Sequence, residues 1–285
     1  GSADINHFQA AGGTGLLFGE LINAGLMHGN ATVCFGGTLE KACLDPFLDE
    51  GSLRWRAATD ESLALDVIRP ANDAFHPEGG IRLLQGNLGR SLIKTSAVAA
   101  EQQCITAPAV VISDQAELKA LFERGELDQD CVVVARFQGP AANGMPELHQ
   151  LMPILGVLQD RGHAIALVTD GRLSGASGKV PAAIHVTPEA AKGGAIGRIQ
   201  DGDVISLDVA AGELCVAVDE QTLVNRQHPD TPMARNTVGR GLFKFSREVV
   251  TDAESGGCTL FEPLVMDDLS QGQSARNVAY EHWAS

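Results

Sequence analysis

Three side chains able to do polar chemistry sit close together in the stretch Thr169 to Gly178, TDGRLSGASG: Asp170, Arg172 and Ser174, the serine lying between Gly171 and Gly175. The apolar run HAIALV before them reads as a buried strand. A strand, a sharp turn and then a serine resemble a nucleophile elbow, which exposes a hydroxyl at a sheet edge. The order is not G-x-S-x-G, however, because residues 172 to 175 run Arg, Leu, Ser, Gly. Turn chemistry alone accounts for Asp170, Gly171 and Gly175 but leaves Arg172 without a use. On residue types, a functional loop and a plain turn both stand.

A second strand end lies in VARFQGPAANGMPEL, where Glu147 is expected in the first turn of a helix. There the helix N-terminus favours a carboxylate. Glu147 is either that and nothing more, or a ligand for a hard cation, since Mg²⁺ takes one or two carboxylates together with water and substrate oxygens. Six cysteines (Cys34, Cys43, Cys104, Cys131, Cys215 and Cys258) are widely spaced without a CxxC pair. Two fall in the apolar runs CVVVARF and LCVAVD, so buried reduced thiols are expected rather than disulfides or a zinc site.

The elements that must position these groups follow from periodicity. HFQAAGGTGLLFGELINAGLMHG is a glycine-rich turn feeding a helix, and Thr38 to Leu48 reads as another helix. The Pro, Asn and Asp of VIRPANDAF mark a boundary near residue 76. Beyond it come two short strands around Gly86 to Gly89, a helix in QAELKALFERGEL and a strand in DCVVVARF. A helix in PELHQLMPILGVLQDRG, the HAIALV strand and two alternating strands in IQDGDVISLDVAAGELCVAVD complete the series. Strands with glycine at nearly every corner suit a closed or strongly curved sheet with flanking helices better than a doubly wound sheet. No GxGxxG or GxxxxGK[ST] follows a strand, and GGTGLLFGE, the nearest lookalike, has no lysine and reads as helix packing.

The chain has 285 residues, long enough for two domains. Its 44% hydrophobic and 20% charged composition is that of a globular protein. With 21 basic and 36 acidic residues the net charge is −15, which argues against nucleic acid or an anionic membrane as partner. An anionic substrate would need a local basic pocket. No apolar run is long enough to cross a membrane and no leader pattern opens the sequence, so a cytoplasmic protein is expected. Gly1 and Ser2 read as an expression scar, with an N-terminal part of the protein missing.

GNLGRSLIKTSAV, VARFQGPAANGMPELHQL, ALVTDGRLSGASGKVPAAIHVTPEA and GGAIGRIQDGDVISLD, in that order, resemble the C-terminal half of the dihydroxyacid/6-phosphogluconate dehydratase family. DINHFQAAGG, GMPELHQL and Leu173 in GRLSG are most similar to its 6-phosphogluconate branch. The resemblance implies loss of water from 6-phosphogluconate to give 2-keto-3-deoxy-6-phosphogluconate, with an iron–sulfur cluster and Mg²⁺ in a full-length homodimeric enzyme. It also implies an α/β fold in two parts. Residues 1–75 would be the end of an N-terminal α/β domain that bears the cluster, and 76–285 a swivelling β-barrel-like C-terminal domain.

By the same resemblance Ser174 is the catalytic base, acting as its alkoxide, and Glu147 is a Mg²⁺ ligand. No cysteine of this chain matches a cluster motif. A serine alkoxide needs a neighbouring cation. Asp170 and Arg172 are expected to orient the loop or a substrate carboxylate, Arg through two parallel bonds. The phosphate candidates are Arg90, Lys94, Lys179, Arg235, Arg240 and Lys244, although the cation-rich run RNTVGRGLFKFSRE is equally well a solvated helix face. Asn6 and His7 either line a substrate cleft or cap a helix. The isolated chain is expected to be inactive. The alternatives are the corresponding domain of an aldonic-acid or dihydroxyacid dehydratase, and a non-catalytic binding module with the same fold.

Overall fold

The computed structural model describes residues 3–34, 36–76, 79–174, 178–232 and 241–260. It divides into two compact units, Gly1–Gly79 and Gly80–Ser285. In the first unit, helices α1 (Ile5–Ala10) and α2 (Gly13–Asn23) pack around Ala11, Leu16 and Ile68. The hairpin of β1 (Leu44–Asp49) and β2 (Ser52–Ala57) follows. Its two-residue turn, Glu50 and Gly51, has both φ angles positive, the combination that matches the twist of the flanking strands.

The helix expected over Thr38 to Leu48 is thus corrected to one short 3₁₀ turn, Glu40–Ala42, and a strand. Pro46 supplies the reason: it has no N–H to give to a helix ladder and clashes with the preceding turn, yet it sits without penalty in an edge strand opposite Trp55.

The second unit contains eight strands: β3 (Ile81–Gly86), β4 (Gly89–Lys94), β5 (Cys104–Ile112), β6 (Cys131–Ala135), β7 (Ile165–Thr169), β8 (Ala182–Thr187), β9 (Val204–Asp208) and β10 (Glu213–Val216). They close into a barrel in the order β10-β3-β4-β8-β7-β6-β5-β9, as the glycine-cornered strand pattern leads one to expect. β5 to β8 run parallel to one another, and the remaining neighbours are antiparallel except β10 and β3. Parallel strands need crossovers. α3 (Gln115–Glu123) connects β5 to β6, and α4 (Pro140–Asn143) with α5 (Leu151–Asp160) connects β6 to β7.

The residue pattern explains the layering. In β6, Val132 and Val134 join the core inside the barrel, while Cys131, Val133 and Ala135 face outward beneath α3 and α5. Both faces of β6 and β7 are therefore buried, which is why CVVVA and IALVT are continuous apolar runs rather than alternating ones. Leu151, Leu155 and Leu158 recur at helical spacing on the covered side of α5. All six cysteines are free, but burial is narrower than expected: Cys131 is buried, Cys34 and Cys104 are exposed, and the other three are half-buried. Burial pushes the Cys131 thiol up to about 11, so it packs as an inert apolar group.

Barrel closure is tight where β3 meets β10. A Cβ on Gly86 would lie 2.0 Å from the Leu214 carbonyl oxygen and 2.7 Å from Cys215 Sγ. Gly86→Ala should therefore destabilise the barrel by about 1–3 kcal/mol, seen as a lowered midpoint in thermal unfolding followed by circular dichroism. An unchanged midpoint would mean that β10 can move aside without cost. Two further helices, α6 (Glu220–Asn225) and α7 (Lys244–Val249), follow the last strand. No described helix is long and apolar enough to cross a membrane.

Candidate active site

β6 and β7 pair in parallel with Ala135 opposite Thr169, so the loops that leave them emerge at the same edge of the barrel. Carboxyl ends of parallel strands are where α/β sheets gather functional loops. Thr169 begins the local order: its Oγ1 donates to the Ala135 carbonyl at 2.6 Å and accepts the Gly171 N–H at 2.9 Å. Gly171 packs against Gln138, whose Cβ would lie 2.7 Å from a Cβ at residue 171, so no side chain fits there.

Asp170 is fully buried and accepts three backbone N–H groups, from Gln138 at 2.8 Å, Ala190 at 2.9 Å and Phe137 at 3.1 Å. It ties the loop after β6 to the turn after β8. Burial pushes its carboxyl up to about 6, and the neighbouring Glu189 adds to the rise, while the three donors pull the other way. Glu189 is itself buried and accepts the N–H groups of Ala141 and Ala142 in the first turn of α4. Sequence reading passed over Glu189. It follows Pro188 in what looks like an ordinary turn, and nothing local shows that it reaches back to α4.

Glu147 lies in an isolated parallel bridge with Arg172 that joins the two loops. One carboxylate oxygen accepts the Ser174 N–H at 2.9 Å and the other accepts Arg172 Nη1 at 2.9 Å, while Arg172 Nε donates to the Met145 carbonyl at 2.8 Å. The expected placement in the first turn of a helix is corrected, since α5 begins at Leu151. Pro153 explains the late start. Proline is tolerated only in the first turn, and a helix beginning at Glu147 would carry it in the interior. Three of the four non-glycine residues with positive φ among the described residues, Phe137, Met145 and His185, surround these loops. Such backbone costs energy and clusters at functional sites.

Ser174 is exposed and, with Glu147, His149 and Lys179, lines a hollow of about 600 Å³. Arg172 instead lines a second and larger cleft of about 810 Å³, so the Arg172–Glu147 pair links the two. The structure thus brings Ser174, Glu147, Arg172 and Lys179 together, with Asp170 beneath them. Arg90 and Lys94 lie on β4 and line neither hollow, and Arg90 pairs with Glu254. Lys179 pairs with Asp160 and Lys244 with Glu248. Arg235 and Arg240 lie outside the described residues. His7 accepts the Asp4 N–H through Nδ1 in a capping box at the start of α1, which is the capping role, and Asn6 lines a separate hollow within the first unit.

Residues 66–257 match the family model described as dihydroxy-acid/6-phosphogluconate dehydratase C-terminal. This chain belongs to that family. It is 51% identical over 265 residues to the phosphogluconate dehydratase of Pseudomonas aeruginosa, a match covering 93% of this chain and 44% of that protein. The phosphogluconate dehydratase of Escherichia coli K12 is 53% identical over 264 residues, covering 92% and 44%. A dihydroxy-acid dehydratase of Oleidesulfovibrio alaskensis is 36% identical over 262 residues, covering 90% and 44%. The chain therefore spans less than half the length of these curated dehydratases. As a member of the dehydratase family it carries the barrel, and the Ser174 loop sits at the barrel's strand-end edge.

The metal chemistry implied by the resemblance does not fit the described residues by themselves. Among them no three His, Cys, Asp or Glu side chains gather as a metal site. Glu147 stands alone as a carboxylate, with a guanidinium already on one oxygen.

Proposed function

We propose that the chain is the C-terminal part of a phosphogluconate dehydratase, a hydro-lyase converting 6-phospho-D-gluconate to 2-dehydro-3-deoxy-6-phosphogluconate and water. The observation that carries this is the gap in identity: above 50% to two phosphogluconate dehydratases, against 36% to a dihydroxy-acid dehydratase, over nearly the same stretch. In this reading residues 1–75 end an N-terminal domain and 76–285 form the C-terminal one. The whole enzyme is a cytoplasmic homodimer with an iron–sulfur cluster and Mg²⁺ whose protein ligands come mainly from the region this chain does not span.

The reaction removes the proton from C2 and hydroxide from C3, and the enol left behind tautomerises to the ketone. What this chain supplies is position. Ser174, assigned as the group that takes the C2 proton, is fixed through its own N–H on Glu147. Glu147 is in turn held by Arg172, whose guanidinium faces both the pair and the larger cleft. Arg172 can then meet a substrate oxyanion without leaving the loop it orders. The test is turnover by the whole enzyme of 6-phosphogluconate against gluconate. The phosphorylated acid should be the faster substrate, and faster turnover of gluconate would overturn the assignment.

A further inference from the structure

We propose that the cleft bounded by α4, β8 and residues 241–260 is an oxyanion subsite in which Arg247, His185 and Arg172 hold the terminal phosphate of the sugar acid. The identity of the phosphate's owner rests on the function proposed above; binding of an oxyanion does not.

The lining carries the argument. Arg172, His185 and Arg247 share the cleft with Ser246, Thr259 and Asn143, and among the described residues no carboxylate lines it. In a chain with 36 acidic against 21 basic residues that is a local inversion of charge, which is what an anionic ligand requires against a repelling global field. The donors suit phosphate, whose oxygens accept both charged and neutral hydrogen bonds.

The backbone points the same way. His185 is held with φ at 57°, in the left-handed region, where a β-bulge shifts the register of β4 against β8, and its N–H donates to the Gly171 carbonyl at 2.9 Å. A strained, half-buried imidazole at a cleft wall is an outlier of the kind that marks binding sites. Burial, and secondarily Arg172, hold that imidazole below its usual range, so a bound anion would offset the field it feels.

The far wall is fixed to the barrel by cations outside the cleft. Lys192 donates to the Val250 carbonyl at 2.8 Å and pairs with Asp252, and Arg90 pairs with Glu254. Arg90, expected to meet phosphate, serves instead to seat the segment that presents Arg247. Through Arg172 the cleft adjoins the Ser174 hollow, so one end of a sugar acid can lie in each.

The test has a binding arm and a kinetic arm. The chain is titrated with inorganic phosphate, and with sodium gluconate as a carboxylate control, while the His185 imidazole is followed by NMR. Phosphate should shift His185 saturably and more strongly than gluconate does. Arg247→Gln should weaken phosphate binding about tenfold or more, the loss expected for one charge-assisted pair. His185→Gly suits the left-handed backbone, so it should keep the fold while still weakening phosphate. In the whole enzyme Arg247→Gln should raise KM for 6-phosphogluconate about tenfold with little change in kcat.

No response of His185 to phosphate, or unchanged phosphate binding in both variants, would overturn the subsite. Equal loss of gluconate and phosphate binding would reassign it to the carboxylate end and overturn the phosphate assignment. Phosphate binding that depends on Arg247, in an enzyme that does not turn over 6-phosphogluconate, would overturn the proposed function and leave the oxyanion site standing.

Discussion

Ser174→Ala in the whole enzyme should lower turnover of 6-phosphogluconate by about three orders of magnitude, within the range that loss of a positioned base produces. The substitution is clean because of how the loop is held. The backbone N–H of residue 174 bonds Glu147, and alanine keeps that bond while it removes the hydroxyl. Stability and KM should hardly change, placing the loss in kcat.

Glu147→Gln is the informative companion. An amide retains one acceptor for the Ser174 N–H but turns an N–H₂ toward Arg172, so the loop loosens. Because that pair is partly exposed, the cost in stability should stay below about 1 kcal/mol, while turnover falls through misplacement of Ser174. Stopped assays with each variant, alongside unfolding curves, separate the two effects. Retained activity in Ser174→Ala would remove the hydroxyl from the proton transfer altogether.

The legible part of this protein was what depends on local pattern. Continuous apolar runs such as CVVVA and HAIALV report strands buried on both faces, and glycine at the corners reports a sheet that closes on itself. The TDGRLSG turn and Glu147 were likewise visible as polar strand ends, and the structure joins them through a bridge and two hydrogen bonds. Errors came where one proline outweighed periodicity: Pro46 turned an expected helix into a strand, and Pro153 moved the start of α5 beyond Glu147.

What stayed hidden depends on contacts between distant segments. Glu189 caps α4 from 48 residues away. His185 carries no local sign in the sequence, because its left-handed backbone arises from the mismatch between β4 and β8. Arg247 was one cation among several in a charged run. Its cleft takes walls from α4 and β8 as well as from the segment that carries it.

Asp170→Asn should destabilise the barrel by about 2 kcal/mol, because three buried N–H donors reach two carboxyl oxygens, both able to accept whether the group is protonated or ionised, and an amide offers only one. Asp170→Ala should cost more, about 3 kcal/mol or above, since all three donors are then left without an acceptor. Denaturant unfolding of the barrel at fixed pH measures both.

The pH dependence of the same experiment decides which force governs Asp170. Burial raises its carboxyl from 3.8 to about 6, so between those values the folded state binds a proton that the unfolded state has released. Stability then falls with rising pH through that window. The contribution is fully present below about pH 3.8 and lost once pH passes about 6. The asparagine of the Asp170→Asn variant has no such proton, so the advantage of the wild type should be largest near pH 4, shrink toward pH 6 and then level off. The difference between the two proteins cancels the titration of carboxylates that do not interact with Asp170, leaving Asp170 and its neighbour Glu189. An advantage that grows with pH would show that the three backbone donors outweigh burial and that Asp170 is held ionised, making this turn a charged clamp beneath the Ser174 loop rather than a neutral one.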